Sequence, residues 1–317
     1  RLAAYTKAPA LRWAWMACVG LAFAAAYAWW LRGASWWSGV ALGLAGQLSA
    51  FAVMHDASHN AISAKRWPNV LLAYAGVAYT SPHEWTLQHV IAHHARPNVH
   101  GEDPDVVHAN RYKRPFTGVK ALDALLVWLV ALPLGITVLA PLRVFLRGLY
   151  PHSTAREAPR GAGRSLVHVL GRVLHVFCFF AWPFLRMPPL RALGWAALPA
   201  GLGSAVFMAV TQVAHLLEAT AGGDAPQRWA EQQIANSADF APASPLVALL
   251  TGGLNRQVEH HLFPSVHHAF LPELATIVEA ACAKRGVAYH VHASMWAALR
   301  AHLAYLKRLE ADATPPS

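Results

Sequence analysis

Histidines in this chain occur in clusters whose spacing fits metal binding. His55 and His59 stand four residues apart in the segment HDASH, and His89 and His93 repeat that spacing in HVIAHH. On an α-helix, residues four apart lie on one face, with their Cβ atoms about 5–6 Å from each other. Each pair is therefore predicted to direct two imidazole rings toward one metal ion.

Two of the clusters also contain adjacent histidines. His94 follows His93, and His260 precedes His261 in QVEHHLFP. Adjacent helical residues are turned by about 100° around the helix axis, so a doublet can face two neighbouring ions. His215, in QVAHLLE at the end of the last long apolar segment, is a further candidate. The candidate ligands are His55, His59, His89, His93, His94, His215, His260 and His261.

The number and type of these residues restrict the metal. One zinc ion needs about four ligands, so eight histidines favour a site with two metals. Imidazole suits zinc, copper, iron and nickel, and a dinuclear nitrogen site at a membrane face favours iron and oxygen chemistry. Cys18, Cys178 and Cys282 are scattered without a CxxC pair, so neither a thiolate site nor a disulfide framework is predicted. A further doublet, His267 and His268, has no partner at helical spacing and is expected to be structural or at the surface.

Composition indicates which kind of protein must position these histidines. The chain has 317 residues, of which 56% are hydrophobic and 13% charged, whereas soluble domains carry about 25% charged residues. Thirteen tryptophans fit the same class, because Trp gathers at membrane interfaces. The sequence therefore predicts an all-α integral membrane protein. The net charge of +10 favours lipid headgroups or an acidic redox partner over nucleic acid.

The apolar segments predict the membrane topology, because a spanning helix needs about 20 apolar residues. Four segments qualify: residues 13–31, 35–54, 166–186 and 193–214. The first is too long for a signal peptide and has no convincing cleavage site, so it is expected to anchor the chain.

Residues 122–141 form a weaker candidate span, since they include Asp123 and Pro133. An even number of spans must separate the second and third histidine clusters, so this segment is predicted to lie along the interface or re-enter. Basic residues flank the first helix pair on the histidine side, which places the clusters in the cytoplasm. The expected architecture is one domain, residues 1–317, with four transmembrane helices, a cytoplasmic helical cap carrying the dinuclear site, and a cytoplasmic tail over 271–317.

The segments HDASH, HVIAHH and GGLNRQVEHHLFP together resemble the three histidine boxes of the membrane-bound fatty acid desaturase family. The third box, with Gln257 in place of its first histidine, is most similar to the acyl-lipid and front-end branches. EDPD, at residues 102–105, also fits, and the resemblance covers roughly residues 35–270. It implies two iron ions held by the eight histidines, O₂ as co-substrate, and removal of hydrogen from a fatty acyl chain in an apolar tunnel beneath the metals.

The resemblance also implies roles for residues beside the ligands. Gln257 occupies a position where some relatives have a ninth histidine, and it is expected to contact the metals indirectly. Thr211 stands where other branches have an asparagine that holds a water on iron. Asp56 and Glu259 adjoin ligands and are expected either to accept imidazole N–H groups or to face solvent.

The expected partners follow from what the chain lacks and from its charge. Nothing matches the HPGG signature of a fused haem domain, so an external ferredoxin-like or cytochrome electron donor is expected. The basic face is expected to dock that donor or to attract anionic membrane lipid. The acyl group is left open between lipid, CoA and carrier-protein linkage.

Two alternatives remain open. A hydroxylase, ketolase or acetylenase would use the same boxes on a lipid-like substrate. A non-enzymatic membrane metal protein, such as a transporter, would carry ionisable residues within its spans, whereas here they crowd the ends.

Overall fold

A computed structural model describes residues 8–33, 35–76, 82–99, 102–106, 117–134, 177, 181–221 and 228–311. Over these residues the chain is mostly helical. The all-α expectation misses one feature, a parallel pair of two-residue strands in the second half of the chain. Strands this short leave no alternating pattern in the sequence from which they could be predicted.

The first half of the described chain carries the first two histidine boxes. Its helices are α1 (Ala10–Leu31), α2 (Trp36–Ser49), α3 (Asp56–Ser58), α4 (Arg66–Leu72), α5 (Pro82–Trp85) and α6 (Lys120–Leu134). The segments Ala50–His55, before α3, and Thr86–His93, after α5, are π-helical. A 3-10 turn, Ala73–Gly76, follows α4.

The second half carries His215, the third box and the tail. Its elements are α7 (Trp182–Arg186), α8 (Pro189–His215), α9 (Trp229–Ala235), β1 (Asp239–Phe240), α10 (Pro245–Leu250), α11 (Gln257–Leu262), a 3-10 turn (His268–Phe270), α12 (Leu271–Arg285), β2 (Val291–His292) and α13 (Met295–Ala311).

Among the described residues, three helices are long and apolar enough to cross a bilayer. They are α1, the continuous helix Trp36–Ser58 and α8, and they coincide with the predicted spans 13–31, 35–54 and 193–214. The fourth predicted span, 166–186, lies outside the described residues except for residues 177 and 181–186. The total of four spans therefore stays a prediction.

The segment predicted to lie along the interface, 122–141, is described as far as Leu134, where α6 ends. This helix packs against α8. Ser204 Oγ donates a hydrogen bond to Trp128 O, and a Cβ atom on Gly201 would lie 3.4 Å from Leu129 O. The helix is thus held by protein contacts, and its depth in the bilayer stays a prediction.

Close contacts between α1, α2 and α8 fix the membrane helices relative to one another. Trp30 Nε1 donates to Trp195 O at 3.2 Å, and Trp195 Nε1 donates back to Trp30 O at 3.4 Å. A Cβ atom on Gly43 would lie 2.9 Å from Pro199 O, so only glycine permits this approach of α2 to α8. These contacts lie toward the beginning of α8 and hold it alongside α1 and α2, while the histidines lie at or beyond the other ends of α2 and α8.

Residues 228–311 form a cap on those helix ends. Phe240 and Leu254 of the cap are buried with Phe51 and Val213 of the helix ends, and each fully buried side chain of this kind contributes about 1.5–3 kcal/mol. β1 pairs with β2 in parallel, with Asp239 opposite Val291. The cap thereby brings the segments before and after the third box together.

The predicted tail, 271–317, contains the helices α12 and α13, and its last residues, 312–317, lie outside the described part of the chain. α13 packs on α6 and on the end of α8. Leu306 is fully buried there, and His302 Nδ1 donates to Leu216 O at 2.8 Å. The tail therefore contributes to the support of the helix end that carries His215.

Candidate metal centre

The first two boxes lie where regular α-helix widens into π-helix. His55 ends the π-helical segment Ala50–His55, and His94 N–H donates to His89 O, five residues back, at 3.1 Å. The expectation that both boxes lie on α-helical faces is therefore wrong in this detail. A π-helical turn contains an extra residue, and such turns are frequent at functional sites. In this structure it brings His94 back beside His89.

Four histidines from three separate segments form the first group. One ring nitrogen from each of His55, His59, His89 and His260 lies within 4.8 Å of the others. His55 Nε2 is 3.2 Å from His89 Nε2. His94 joins this group, since its Nε2 lies 3.3 Å from His89 Nε2 and 3.1 Å from His260 Nε2.

Three histidines from three segments form the second group, and two of these segments, the second and third boxes, also supply the first group. They are His93, His215 and His261, whose ring nitrogens also lie within 4.8 Å of one another. His261 Nε2 is 3.2 Å from His215 Nε2. Gln257 Nε2 lies 2.9 Å from His215 Nε2 and 3.4 Å from His261 Nε2, so its side chain belongs to this group.

The structure brings all eight predicted histidines together, and each doublet divides between the two groups. His260 belongs to the first group and His261 to the second, while His93 belongs to the second and His94 contacts the first. The groups adjoin, because the rings of His94 and His261 stack with centroids 4.4 Å apart. All eight side chains are buried, each at most 7% exposed.

Outer hydrogen bonds fix the orientation of several rings. His89 Nδ1 donates to Asp105 at 3.2 Å and His93 Nδ1 to Asp103 at 2.9 Å. His215 Nδ1 donates to Asn236 O at 3.0 Å, and His261 Nδ1 to Gln233 Oε1 at 3.0 Å. A neutral imidazole that donates from Nδ1 keeps a lone pair on Nε2. The rings of His89, His215 and His261 therefore present Nε2 lone pairs to the interior, as metal-bound histidines do, and His93 does so once its Nε2 proton is lost.

This arrangement fits metal ions. Two lone pairs facing each other at 3.2 Å, as on His215 and His261, repel unless a cation lies between them. Metal–imidazole bonds of about 2.1 Å place neighbouring ligand nitrogens about 3.0–3.4 Å apart, which matches that separation. In addition, His59 Nε2 is buried and has no hydrogen-bond partner in the part of the chain that the structure describes. Each group can thus hold one ion, and imidazole ligands suit iron, zinc, copper or nickel.

The charge state of the cap histidines also suits metal binding. Burial and the neighbouring imidazoles hold the pKa of His260 and His261 well below the usual value, so both rings are neutral. His93 differs: burial lowers its pKa, but Asp103 and Asp105 outweigh burial and raise the pKa to about 9. A cation bound at Nε2 would displace that proton, because metal binding releases protons from its ligands.

Asp56 connects the first box to the His267–His268 doublet. Its Oδ2 accepts from His268 Nδ1 at 2.6 Å and lies 3.4 Å from His267 Nε2. His55 Nδ1 is farther from the carboxylate, at 3.7 Å. The doublet is buried rather than at the surface, and a separation of 2.6 Å between nitrogen and oxygen is that of a strong hydrogen bond. Asp56 therefore anchors the segment after the third box to α3.

Glu259 lies elsewhere than expected, and the hydroxyl group of Thr211 bonds within its own helix. Among the described residues, Glu259 contacts no imidazole, and it does not face solvent: it is fully buried and accepts from Tyr289 OH at 3.0 Å. Tyr289 OH also lies 2.8 Å from Asp239 Oδ2, and burial together with Asp239 raises the pKa of Glu259 to about 9. Thr211 Oγ1 donates to Phe207 O within its own helix at 3.1 Å.

Sequence reasoning missed the residues that accept the outer imidazole protons. Asp103 and Asp105 carry a local signal, since both belong to EDPD, an acidic segment that closely follows a histidine box. Gln233 and Asn236 carry none, because they lie 28 and 21 residues from the rings they contact. Only the fold brings these amides to the centre.

The fold and the site define a class of proteins. Apolar helices of membrane-spanning length that carry two adjoining groups of buried histidines are typical of membrane-bound metalloproteins. Comparison with known proteins narrows this class. Residues 28–293 match the family described as fatty acid desaturase, and the chain belongs to that family.

Individual relatives agree with the family match. The chain is 30% identical over 285 residues to an acyl-lipid (8-3)-desaturase of Physcomitrium patens, covering 81% of this chain and 56% of the relative. It is 32% identical over 257 residues to an acyl-lipid omega-13 desaturase of Chlamydomonas reinhardtii, covering 74% and 54%. For an sn-1 linoleoyl-lipid 6-desaturase of Arthrospira platensis, identity is 26% over 287 residues, with 85% and 76% covered. The chain spans about half the length of the first two relatives.

Proposed function

We propose that this protein desaturates a fatty acyl chain in an O₂-dependent reaction, with one iron ion in each histidine group and electrons from an external donor. The observation that carries the proposal is the convergence of seven box histidines and His215 into two adjoining buried groups, with the Nε2 atoms of His89, His215 and His261 among those that face inward. Imidazole can bind several metals, and membership of the fatty acid desaturase family favours iron among them.

The chain's own residues hold and isolate the centre. Iron bound by nitrogen ligands would supply the redox chemistry with O₂ that removes two hydrogens from neighbouring acyl carbons. Asp103, Asp105 and the Asn236 carbonyl hold three rings in the tautomer that binds metal. Burial of all eight histidines excludes bulk water, which protects a reactive centre from side reactions.

Aromatic residues between the first group and the membrane helices support an acyl substrate. The Trp85 ring stacks on His89 with centroids 4.3 Å apart. Phe207 meets Trp85 edge-on at 5.8 Å and stacks on Phe51 at 5.7 Å. This apolar surface reaches the first group from the side of α2 and α8, and we place the path of the acyl chain along it. The names of the relatives favour an acyl chain esterified in a lipid over CoA or carrier-protein linkage.

Topology and electron supply complete the proposal. Four membrane spans would place the centre on the cytoplasmic side, where a soluble ferredoxin-like or cytochrome donor can reach the cap. The net charge of +10 favours an acidic donor.

The test is expression in a host of known lipid profile, followed by mass spectrometry of intact lipids and released fatty acids. We expect a new lipid acyl chain lighter by two hydrogens. His260→Ala should abolish that product, because it removes a ligand of the first group, whereas His292→Ala, a change on β2, should retain it. A product heavier by one oxygen would support a hydroxylase instead. An unchanged product from His260→Ala would contradict the proposal.

A further inference from the structure

Two asparagines lie behind the second histidine group, outside the three boxes: Asn236 is buried and Asn98 is partly buried. Asn236 is 3% exposed and follows α9. Asn98 follows the second box and has a positive φ of 59°, a backbone conformation that asparagine tolerates better than most residues. Together they connect three segments that are far apart in the sequence.

The side chain of Asn98 donates to carbonyl groups from two of these segments. Its Nδ2 lies 2.7 Å from His215 O, 3.2 Å from Thr220 O and 3.1 Å from Asn236 O. A flipped amide would direct its oxygen at three carbonyl oxygens, so the assigned orientation is the only favourable one. Asn98 thus holds the end of α8 against the end of α9.

Asn236 completes the connection in the opposite direction. Its carbonyl oxygen accepts from His215 Nδ1 at 3.0 Å as well as from Asn98. Its side-chain Nδ2 donates to Pro97 O at 2.6 Å. The acceptor that orients the His215 ring is therefore itself held by the residues on either side of the Pro97–Asn98 peptide bond.

The backbone of Asn98 contacts the acceptor of a second ligand. Its N–H donates to Asp103 Oδ2 at 2.7 Å, and the same oxygen accepts from His93 Nδ1 at 2.9 Å. One residue therefore contacts the hydrogen-bond acceptors of both His93 and His215. These two histidines belong to the same metal-binding group.

We propose that Asn98 is a positioning residue for the second metal site, and that it sets the relative orientation of His93 and His215 without touching the metal. This inference rests on the proposed metal centre. The hydrogen bonds of its side chain all go to the segments at His215, Thr220 and Asn236. Loss of that side chain should therefore weaken the second site and leave the first site occupied.

The test uses the full chain purified in detergent, stripped of metal and equilibrated with ferrous iron under a competing chelator. Asn98→Gly removes the side chain and keeps the positive φ accessible. Metal per chain, measured by inductively coupled plasma mass spectrometry, should fall from about two to about one, with affinity at the weak site about 10–100-fold lower.

Asn69→Ala is the matched control. Asn69 is 1% exposed, and its side chain bonds to the backbone of Ile62, Ser63 and Lys65. This variant should lower the unfolding temperature and keep both metals. If Asn98 only supported the fold in general, its loss would weaken metal binding at both sites together, as partial unfolding does.

Equal loss of both metals from Asn98→Gly, or wild-type affinity at both sites, would overturn the inference. If that variant does not fold, Asn236→Ala takes its place, because among the described contacts its side chain loses only the bond to Pro97 O. It should show the same selective loss on a smaller scale, and equal loss of both metals there would overturn the inference. A wild-type chain that binds no metal would refute the proposed function itself and remove the basis of this inference.

Discussion

Replacing Asp103 by asparagine keeps the shape of the side chain and removes its charge, and it should weaken metal binding at the second group about tenfold. Asp103 is fully buried, and its hydrogen-bond partners in the described contacts are donors. Oδ2 accepts from His93 Nδ1 and from Asn98 N–H, while Oδ1 accepts from Asp105 N–H. An amide group cannot accept at both of its terminal atoms.

The favoured orientation of the new side chain follows from these contacts. With its amide oxygen at the Oδ2 position, the Asp103→Asn variant keeps the hydrogen bonds from His93 and Asn98. Its NH₂ group then faces the N–H group of Asp105, and neither can accept from the other. Such a buried unsatisfied pair costs about 1–3 kcal/mol of stability. His93 stays oriented, but its acceptor is now neutral, and such bonds are roughly half as strong as those to a carboxylate. The expected loss in metal affinity therefore lies at the low end of the range of about 10–100-fold that such changes cause. A tenfold loss corresponds to about 1.4 kcal/mol.

Asp103→Ala provides the second point of this series. It removes the acceptor altogether and frees the His93 ring, so the loss should approach about 100-fold. The assay is titration of the metal-free chain with Co²⁺ against a competing chelator. Glu102→Gln is the matched control, since Glu102 is exposed and pairs only with Arg96 at 3.4 Å in the described contacts; its affinity should not change. Wild-type affinity in both Asp103 variants would refute the assignment of His93 as a ligand held by Asp103.

Two predictions concern stability and are read from the unfolding temperature of the detergent-purified chain. Gly253→Ala should destabilise strongly, because Gly253 has φ of +80° and an added Cβ would lie 2.4 Å from His268 Cβ. Gly118→Ala, at φ of +76° with no described atom within 4 Å of the added Cβ, should lose only about 1 kcal/mol. Equal effects of the two changes would show that the clash is absent. Leu306→Ala should cost about 2–5 kcal/mol of stability, because it opens a cavity beside α6. Ile277 is 66% exposed, so Ile277→Ala should change stability by no more than about 0.5 kcal/mol. An unchanged stability of the Leu306 variant would mean that α13 does not pack as described.

Local patterns in the sequence predict seven of the eight histidines that meet, and the place of His215 at the end of an apolar segment predicts the eighth. Spacing of four and adjacency are local patterns, and the His260–His261 doublet divides between the two groups as a helical doublet should. Long apolar runs likewise predicted α1, α2 and α8, because hydropathy acts over a whole segment rather than through single contacts.

Other features depend on long-range contacts that no local pattern encodes. Asn98 and the His215 carbonyl are 117 residues apart, so nothing near either residue indicates their contact. Glu259 was misplaced because adjacency to a ligand does not determine which face of a short helix its side chain occupies; here that face meets Tyr289. The π-helical widening at the boxes also escaped prediction, since it differs from α-helix by a single residue per turn.

The central claim is that two metal ions occupy two adjoining histidine groups. Its most direct test is anomalous X-ray diffraction at the iron edge on the purified chain reconstituted with ferrous iron. Two peaks are expected, one about 2.1 Å from ring nitrogens of the first group and one at the same distance from His93, His215 and His261. A single peak, or a peak beside Asp56, His267 and His268 instead, would contradict the account.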